Sequence, residues 1–392
     1  MNILFCSESY PGRFGKIPSI LASEADNTVM FLSFHSRKSR SSSGVIHARL
    51  NLNRERERSQ KHQDVFVAEW EKIFSLGKQA LQTFLHIRDA GFLPDMIFVS
   101  FFDGPAFFLR HVFPHAFIVS CFNGFRASTE ADEERLKAIM ELQKIMIGRS
   151  NLYFVRSEAQ KKYFPSLFQQ NIHVWHPYVD TEFFCPQPRD LSSFFPQIST
   201  TAERELVTVH MKGSSFQRIM PVILGLLTHR PNCLIALTFG SQVSQEYWKQ
   251  TLSSLPESLR QRLFLAGGLD SSTYRQLLCS SNVHVFPEYT SPPLQEMLES
   301  MSCGTLLMTP VSDESDEFFQ EGETMLALPK EGRQQLEAIC RVLDRRAEFD
   351  GIRRNARKKI ITHCSEQIAV TGQMAFVMKE YRKMDELRLF KK

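Results

Sequence analysis

Short apolar runs alternate with longer stretches of helical spacing along most of the chain, an alternation typical of a parallel α/β protein. In the first half, the apolar runs predict strands at Met1–Ser7, Thr28–Phe34, Val45–Leu50, Met96–Phe101, Ala116–Cys121, Leu152–Val155 and Ile172–Trp175. Helices are predicted between them at Ile17–Ser23, Val65–Ala90, Ala106–Val112, Glu130–Ile147 and Glu158–Tyr163. We therefore expect one doubly wound domain in this half.

A second series of the same kind fills the rest of the chain. Strands are predicted at Leu206–His210, Leu234–Phe239, Leu263–Leu265, Val283–Phe286, Thr305–Thr309 and Met325–Leu328, with helices at about 218–229, 243–254, 271–280, 293–302 and 331–346. The pattern predicts an α/β fold of two Rossmann-like domains facing across a cleft, with ligands at the carboxyl ends of the strands. The expected parts are an N-terminal domain (1–180), an aperiodic proline-rich linker (181–200), a C-terminal domain (201–364) and a C-terminal helix (365–392) that packs back on the N-terminal domain.

Composition narrows the class of protein only a little. The 392 residues are 43% hydrophobic and 23% charged, as in ordinary globular proteins. The net charge of +4 by itself argues neither for nor against a nucleic-acid partner. A nucleic-acid-binding protein is an alternative that rests only on residues 35–62 and the basic end of the chain, and no nucleic acid is expected. The eight cysteines form no Cys-x-x-Cys pair, so we expect buried free thiols rather than disulfides or a zinc site. With no basic leader and no long apolar run, a cytoplasmic protein without a membrane span is expected.

Residues 35–62 differ from their surroundings because lysine and arginine far outnumber the acidic residues there. A solvated loop is the simpler interpretation of such a run. The alternative is a binding surface for an anionic acceptor or for anionic lipid headgroups, which would hold the protein peripherally at the inner face of a membrane.

The stretch Val283–Pro310 carries the strongest local signal. An alternating strand is followed by a helix with proline just inside its start and Gly304 just past its end, and then by a second apolar strand. The N-terminus of such a helix can bind an anion beside the sheet edge. Glu296 and Glu299 lie three residues apart, which places them on one face of the helix.

Within this stretch, Leu298–Thr305 reads LESMSCGT and resembles the LEAMACGT signature of family 4 glycosyltransferases, which have the GT-B fold. The opening MNILFCSESYPGRF resembles that family's first strand and glycine loop. His173–Phe184 resembles the segment that leaves the first domain. The resemblance covers nearly the whole chain, although only the first of these matches is specific by itself.

The resemblance implies a UDP- or GDP-linked sugar donor on the C-terminal domain and a glycan, lipid-linked or protein acceptor on the N-terminal domain. It also implies transfer with retention, without a metal or other cofactor, and the sequence has no Asp-x-Asp motif. The family places an Arg and a Lys after the first strand of the second domain to neutralise the leaving diphosphate. Here Lys212 takes the place of the family's Arg and Arg218 the place of its Lys. The spacing between the two is one residue longer than in the family. Solvated loop charges are the alternative interpretation.

By the same resemblance, Glu299 binds the donor ribose; a carboxylate paired with a neighbouring base is the alternative. The family's other glutamate, eight residues upstream, contacts the sugar, and Ser291 replaces it here. Ser291 is well placed as the helix N-cap, and Pro292 and Leu294 complete this predicted donor-binding turn. Glu288 is a candidate for the vacated place, although its offset from the motif differs.

A second departure follows the Met96–Phe101 strand. Family members often have a histidine there, close to the transferred sugar, whereas this chain has Ser100 and, shortly after, Asp103. Asp103 is a candidate catalytic residue that binds a sugar hydroxyl or the acceptor, and equally a candidate helix cap.

The remaining candidates lie in loops after predicted strands. Gly12 and Gly15 allow a close approach of the backbone to the donor phosphates or the acceptor, with a plain turn as the alternative. Gly267 stands where the family's backbone contacts the nucleotide base. Asn123 and Arg126 follow a strand end and are candidate acceptor-binding residues.

Transfer of a sugar is the leading hypothesis from the sequence. The replacements at Ser291 and Ser100 also favour a catalytically impaired subunit that binds a sugar nucleotide. A sugar-nucleotide epimerase of the same architecture is a third possibility, but it would need a set of acid and base residues that the sequence does not offer clearly.

Overall fold

The computed structural model describes residues 1–35, 44–50, 64–100, 104–122, 137, 141, 147–162, 164–198, 204–211, 216–239, 252–253, 255–287, 294–311 and 318–389. Within these ranges the chain forms two parallel sheets covered by helices. The predicted α/β class with two doubly wound units is therefore confirmed.

The first sheet has seven parallel strands in the order β3-β2-β1-β4-β5-β6-β7. They are β1 Asn2–Ser9, β2 Thr28–His35, β3 Val45–Arg49, β4 Met96–Ser100, β5 Phe117–Cys121, β6 Leu152–Val155 and β7 Ile172–Val174. The helices described with them are α1 Ile17–Ala22, α2 Val65–Asp89, α3 Ala106–Val112, α4 Glu158–Lys162 and α5 Ser166–Gln169. Every residue of β4 and β5 is buried, because helices cover both faces of a doubly wound sheet.

The second sheet has six parallel strands in the order β10-β9-β8-β11-β12-β13. They are β8 Glu205–Met211, β9 Cys233–Phe239, β10 Leu263–Gly267, β11 Val283–Val285, β12 Leu306–Thr309 and β13 Leu326–Ala327. The helices of this half are α6 Phe216–His229, α7 Glu257–Arg260, α8 Ser271–Ser280, α9 Leu294–Ser302, α10 Gly332–Asp344, α11 Asp350–His363 and α12 Glu366–Leu389.

Stacked phenylalanines fill one face of the first sheet. The ring of Phe5 on β1 stacks on Phe98 of β4 at 4.7 Å and on Phe31 of β2 at 5.9 Å between centroids. Phe14, in the turn after β1, meets the Phe5 ring edge-on at 5.2 Å. These residues come from neighbouring strands, so their packing fixes the register of the central part of the sheet.

The chain divides into two compact units, one formed by Met1–His176 with Val370–Lys392 and the other by Pro177–Ala369. Helix α12 begins in the second unit and continues into the first, where Tyr381 packs edge-on against Phe117. The segment 181–200, which is expected to be a linker, packs in part into the second unit. Phe194 and Phe195 are buried in the second unit against Phe264 of β10.

No helix in the described ranges is both long enough and apolar enough to cross a membrane. The predicted helices at Glu130–Ile147 and 243–254 fall largely outside those ranges, as does most of the basic segment 35–62. A peripheral membrane contact through that segment stays a prediction.

Candidate functional site

The strand order of the second sheet reverses between β8 and β11, which places Val209 beside Val285. The two strands run in the same direction, so the segments after them leave the sheet at one edge, where parallel α/β sheets bind ligands. Along the chain, β8 leads to α6, which carries Arg218, and β11 leads to α9, which carries Glu299. Two of the predicted donor-binding residues thus belong to helices that follow the switch point.

Helix α9 ends at the predicted place, where Gly304 forms a C-terminal cap. Gly304 has φ +76°, a left-handed conformation that glycine adopts without strain. Its N–H donates to the carbonyl of Met301 at 3.0 Å, and the N–H of Thr305 donates to the carbonyl of Ser300 at 3.0 Å. These two bonds form a Schellman motif, so the predicted helix end at Gly304 is confirmed.

Glu299 on α9 is partly buried. Burial raises the pKa of its carboxyl to about 8; the hydrogen bond from Gln295 lowers the pKa and the nearby Glu296 raises it. The side-chain amide of Gln295 donates both to the Glu299 Oε1 atom and to the carbonyl of Tyr178, each at 3.0 Å. The carboxyl is therefore mostly protonated at neutral pH and is held in place from one side.

The hydroxyl of Tyr274 on α8 is buried close to the same carboxyl. Burial raises the pKa of Tyr274 well above its usual value, and the charges of Glu299 and Glu296 add to the rise. This hydroxyl has no hydrogen-bond partner among the residues that the structure describes. A phenol and a carboxyl buried together offer the hydrogen-bonding groups that recognise hydroxyl groups in pockets. Neither Tyr274 nor Gln295 belongs to a motif that would have singled it out in the sequence analysis.

Two buried histidines on the second sheet were also missed. The rings of His284 and His210 stack on Phe286, with centroids 4.4 Å and 5.3 Å away. Burial lowers the pKa of His284 well below its usual value, and neither of its ring nitrogens has a partner within the described part of the chain. The alternation of apolar residues in Val283–Phe286 places His284 and Phe286 on one face of the strand. Their proximity could therefore have been predicted from the sequence.

Three predicted donor-binding residues have described positions elsewhere in this unit. Arg218 is exposed in the first turn of α6. Leu294 opens α9 and is buried in a core cluster with Phe286. Gly267 ends β10, and a Cβ atom there would lie 2.2 Å from the Phe239 ring. Close packing against Phe239 therefore requires glycine at position 267, independently of any nucleotide.

In the first unit, the turn after β1 contains the predicted glycines. Gly12 and Gly15 have φ values of +55° and +48°, so both adopt backbone conformations that side chains disfavour. Between them, Arg13 donates a hydrogen bond from Nη1 to the carbonyl of Cys121 at 2.8 Å and ties the turn to the end of β5. Arg13 was not among the predicted residues.

The other predicted site residues lie outside the described residues, and their roles stay predictions: Asp103, Asn123, Arg126, Lys212, Glu288, Ser291 and Pro292. In the ranges that are described, no group of three His, Cys, Asp or Glu side chains is placed to hold a metal ion.

Comparisons with known proteins agree with this architecture. Residues 25–184 match the sequence model of a family described as "Glycosyl transferase family 4 group". The chain resembles family 4 glycosyltransferases and has the GT-B fold. The recognition made from the sequence is thereby confirmed, and the family match falls mainly on the first unit. No curated protein matches the chain significantly in sequence.

Solved GT-B structures superpose on almost the whole chain. Sucrose-phosphate synthase from Thermosynechococcus elongatus covers 99% of this chain and 100% of its own, at 15% identity and a TM-score of 0.73. HepE from Anabaena, in complex with UDP and glucose, covers 97% and 99%, at 15% identity and 0.68. The catalytic domain of starch synthase IV from Arabidopsis thaliana, bound to ADP and acarbose, covers 97% and 99%, at 11% identity and 0.67. Such low identities establish the fold alone.

Proposed function

We propose that the protein transfers a sugar from a nucleotide-diphosphate sugar to an acceptor. The observation that carries the proposal is Glu299, a largely buried carboxyl on the helix that follows the switch point of the second sheet. The resemblance to family 4 assigns a donor contact to this position. The family match over residues 25–184 supports the same function from the other unit.

In this proposal, Glu299 binds the ribose of the donor. Gln295 holds one carboxyl oxygen, and the protonated carboxyl presents both a donor and an acceptor to the ribose hydroxyls. Tyr274 lies near the Glu299 carboxyl, and its buried hydroxyl is available for a further hydrogen bond. Burial makes each of these bonds stronger than it would be in water.

The leaving diphosphate is neutralised by positive groups. Lys212 and Arg218 supply the cations in this proposal, and the N-terminal turn of α9 with Ser291 adds backbone N–H groups. We further propose that the reaction retains anomeric configuration and needs no metal, as the family resemblance implies. The donor nucleotide is UDP or GDP in this proposal, and the UDP bound to HepE supports the first choice.

A binding and turnover experiment tests the proposal. The purified protein is titrated calorimetrically with UDP, GDP and ADP, and the release of nucleoside diphosphate from UDP-, GDP- and ADP-sugars is measured with and without glycan acceptors. We expect one of the nucleotides to bind. Glu299→Gln should lower the affinity for that nucleotide more than Glu337→Gln does, and Glu337 is an exposed control residue on α10. The double variant Lys212→Ala with Arg218→Ala should abolish turnover and leave the fold intact.

The outcomes separate the alternatives. Nucleotide binding without turnover on any donor would support the impaired binding subunit. A change in the configuration of the free sugar nucleotide without transfer would support the epimerase. Full turnover in the double variant of Lys212 and Arg218 would show that these two residues do not neutralise the leaving diphosphate.

A further inference from the structure

A cationic pocket with two thiols lies in the second unit, where the ends of α8 and α9 meet α11. It has a volume of about 570 Å³, and its walls include Cys279, Cys303 and Gly304. Four cationic residues of α11 also line it: Arg353, Arg354, Arg357 and Lys358. Asp350 is the acidic residue of the lining, and it pairs with Arg353 at 2.5 Å.

The two thiols line the same pocket, and each perturbs the pKa of the other. Cys303 directly follows the last residue of α9, and Cys279 lies near the end of α8. The thiol of Cys279 donates to the carbonyl oxygen of Cys185 at 3.3 Å. All eight cysteines of the chain are free, and Cys279 is half-buried whereas Cys303 is buried. An oxidant that enters the pocket therefore reaches Cys279 first.

The surroundings make the two sulfurs chemically unequal. The neighbouring thiol of Cys303 lowers the pKa of Cys279 against the effect of burial, and the charges of Arg275 and Arg357 lower it further. The neighbouring thiol of Cys279, together with burial, raises the pKa of Cys303. A low-pKa thiol beside a second thiol is the arrangement in which one sulfur attacks and the other resolves.

The cations lie where an anionic reagent would enter. The guanidinium of Arg357 is engaged with the carbonyl groups of Ser302 and Phe184, so part of the positive charge is structural. Arg354 and Lys358 are exposed at the rim of the pocket and can attract a negatively charged molecule.

We propose that this pocket is a thiol-modification site, in which Cys279 reacts with a small anionic disulfide and Cys303 resolves the product. The Cys279 thiolate attacks one sulfur of the disulfide, which forms a mixed disulfide and releases one thiolate. Cys303 loses its proton to solvent, and its sulfur then attacks the Cys279 sulfur and releases the second thiolate. The two protein thiols become one disulfide, and the small disulfide becomes two thiols. The site does not depend on the proposed transferase activity.

Oxidised glutathione is the probe, because it is a small disulfide with net negative charge. The reduced full-length protein is mixed with an excess of it near neutral pH, quenched by alkylation at intervals and analysed by intact mass and peptide mapping. We expect a transient adduct on Cys279, followed by a Cys279–Cys303 disulfide. The Cys303→Ser variant should accumulate the adduct, and Cys279→Ser should slow modification of the protein by about tenfold.

Cys340 provides the matched control. It is also half-buried, but burial raises its pKa, so Cys340→Ser should leave the time course unchanged. If Cys303→Ser fails to fold, Cys303→Ala tests the same step. The proposal is overturned if Cys279→Ser reacts as fast as the unmodified protein, if the adduct forms without preference for Cys279, or if the final disulfide joins Cys279 to Cys185.

The role of the rim cations has its own test. The double variant Arg354→Gln with Lys358→Gln should slow the reaction with oxidised glutathione roughly threefold to tenfold and leave the reaction with neutral hydroxyethyl disulfide unchanged. Equal slowing with both reagents would show that Arg354 and Lys358 do not act by attracting the negative charge of the disulfide.

Discussion

The side-chain amide of Gln295 donates a hydrogen bond to the carboxyl of Glu299, one turn further along α9, at 3.0 Å. The same amide donates to the carbonyl of Tyr178, so a segment more than a hundred residues earlier in the chain fixes the orientation of the carboxyl. Such support limits the conformational freedom that a ligand would otherwise have to remove, as in preorganised binding sites.

The protonation of Glu299 makes a prediction about stability. Burial raises its pKa from 4.5 to about 8, so the folded protein keeps a proton that the unfolded chain releases between these values. Stability conferred by this group is therefore present below pH 4.5 and is lost as the pH rises towards 8, by at most on the order of 4 kcal/mol. Urea unfolding at about pH 5 and about pH 8 measures the loss.

The variant Glu299→Gln should lack this loss, because its amide is neutral at every pH. We expect the urea concentration at the unfolding midpoint of the variant to increase relative to that of the unmodified protein as the pH rises. Glu337→Gln removes an exposed carboxylate that pairs with Arg333 on α10 and serves as the control. A constant difference between Glu299→Gln and the unmodified protein across the pH range would contradict the raised pKa.

A second prediction concerns the buried carboxylate of Glu205 at the start of β8. It accepts from Arg230 at 2.7 Å and from Arg346 at 2.9 Å, and its side chain is 8% exposed. Burial alone would raise the pKa of Glu205, but the hydrogen bonds and charges of the two arginines outweigh it and hold the pKa below its usual value. The stabilisation is thus present above about pH 4.5 and is lost as the pH falls through the lowered pKa.

Glu205→Gln should lower the free energy of unfolding at neutral pH by about 2–4 kcal/mol, because it removes the buried carboxylate that the partly buried Arg230 and Arg346 share. Asp344 is a matched control, since it pairs with the same Arg230 at 2.8 Å but its side chain is 58% exposed. Asp344→Asn should cost less than about 1 kcal/mol. Equal costs for the two variants in urea unfolding would show that burial of Glu205 does not matter.

The elements of the fold could be predicted from sequence where local signals are strong. The end of α9 follows from an apolar helical run and the single residue Gly304, and the structure has it there. The packing of Phe194 and Phe195 could not be predicted, because two aromatic residues in an aperiodic segment do not say which surface they cover.

The candidate site was predictable to a smaller extent. Glu299 was selected because a short motif marks it, whereas its neighbours Gln295 and Tyr274 belong to no motif and meet it only through tertiary packing. Cys279 lies on α8 and Cys303 directly follows α9, and nothing in their spacing along the chain indicates that they line the same pocket. Contacts between distant segments depend on how whole elements pack, which sequence periodicity does not encode.

A third prediction separates packing from ligand binding at Gly267. Gly267→Ala should destabilise the protein by about 1–3 kcal/mol, because the new Cβ would lie 2.2 Å from the Phe239 ring. Phe239→Leu removes part of that ring, so the double variant should be less destabilised than the sum of the single variants. A double-mutant cycle in urea should give a coupling of more than about 0.5 kcal/mol. Additive costs would show that Phe239 is not the reason for the glycine.

The last prediction compares the same substitution at two glycines. Gly304 has φ +76° and caps α9, so Gly304→Ala forces a left-handed conformation on a residue with a Cβ and should cost about 1 kcal/mol. Gly304→Asn should cost less, since asparagine tolerates this conformation better. Gly372 is exposed inside α12 with open space around its Cβ position, so Gly372→Ala should stabilise the protein by about 0.5–1 kcal/mol. Thermal unfolding of the three variants checks the opposite signs, and a stabilising Gly304→Ala would contradict the cap.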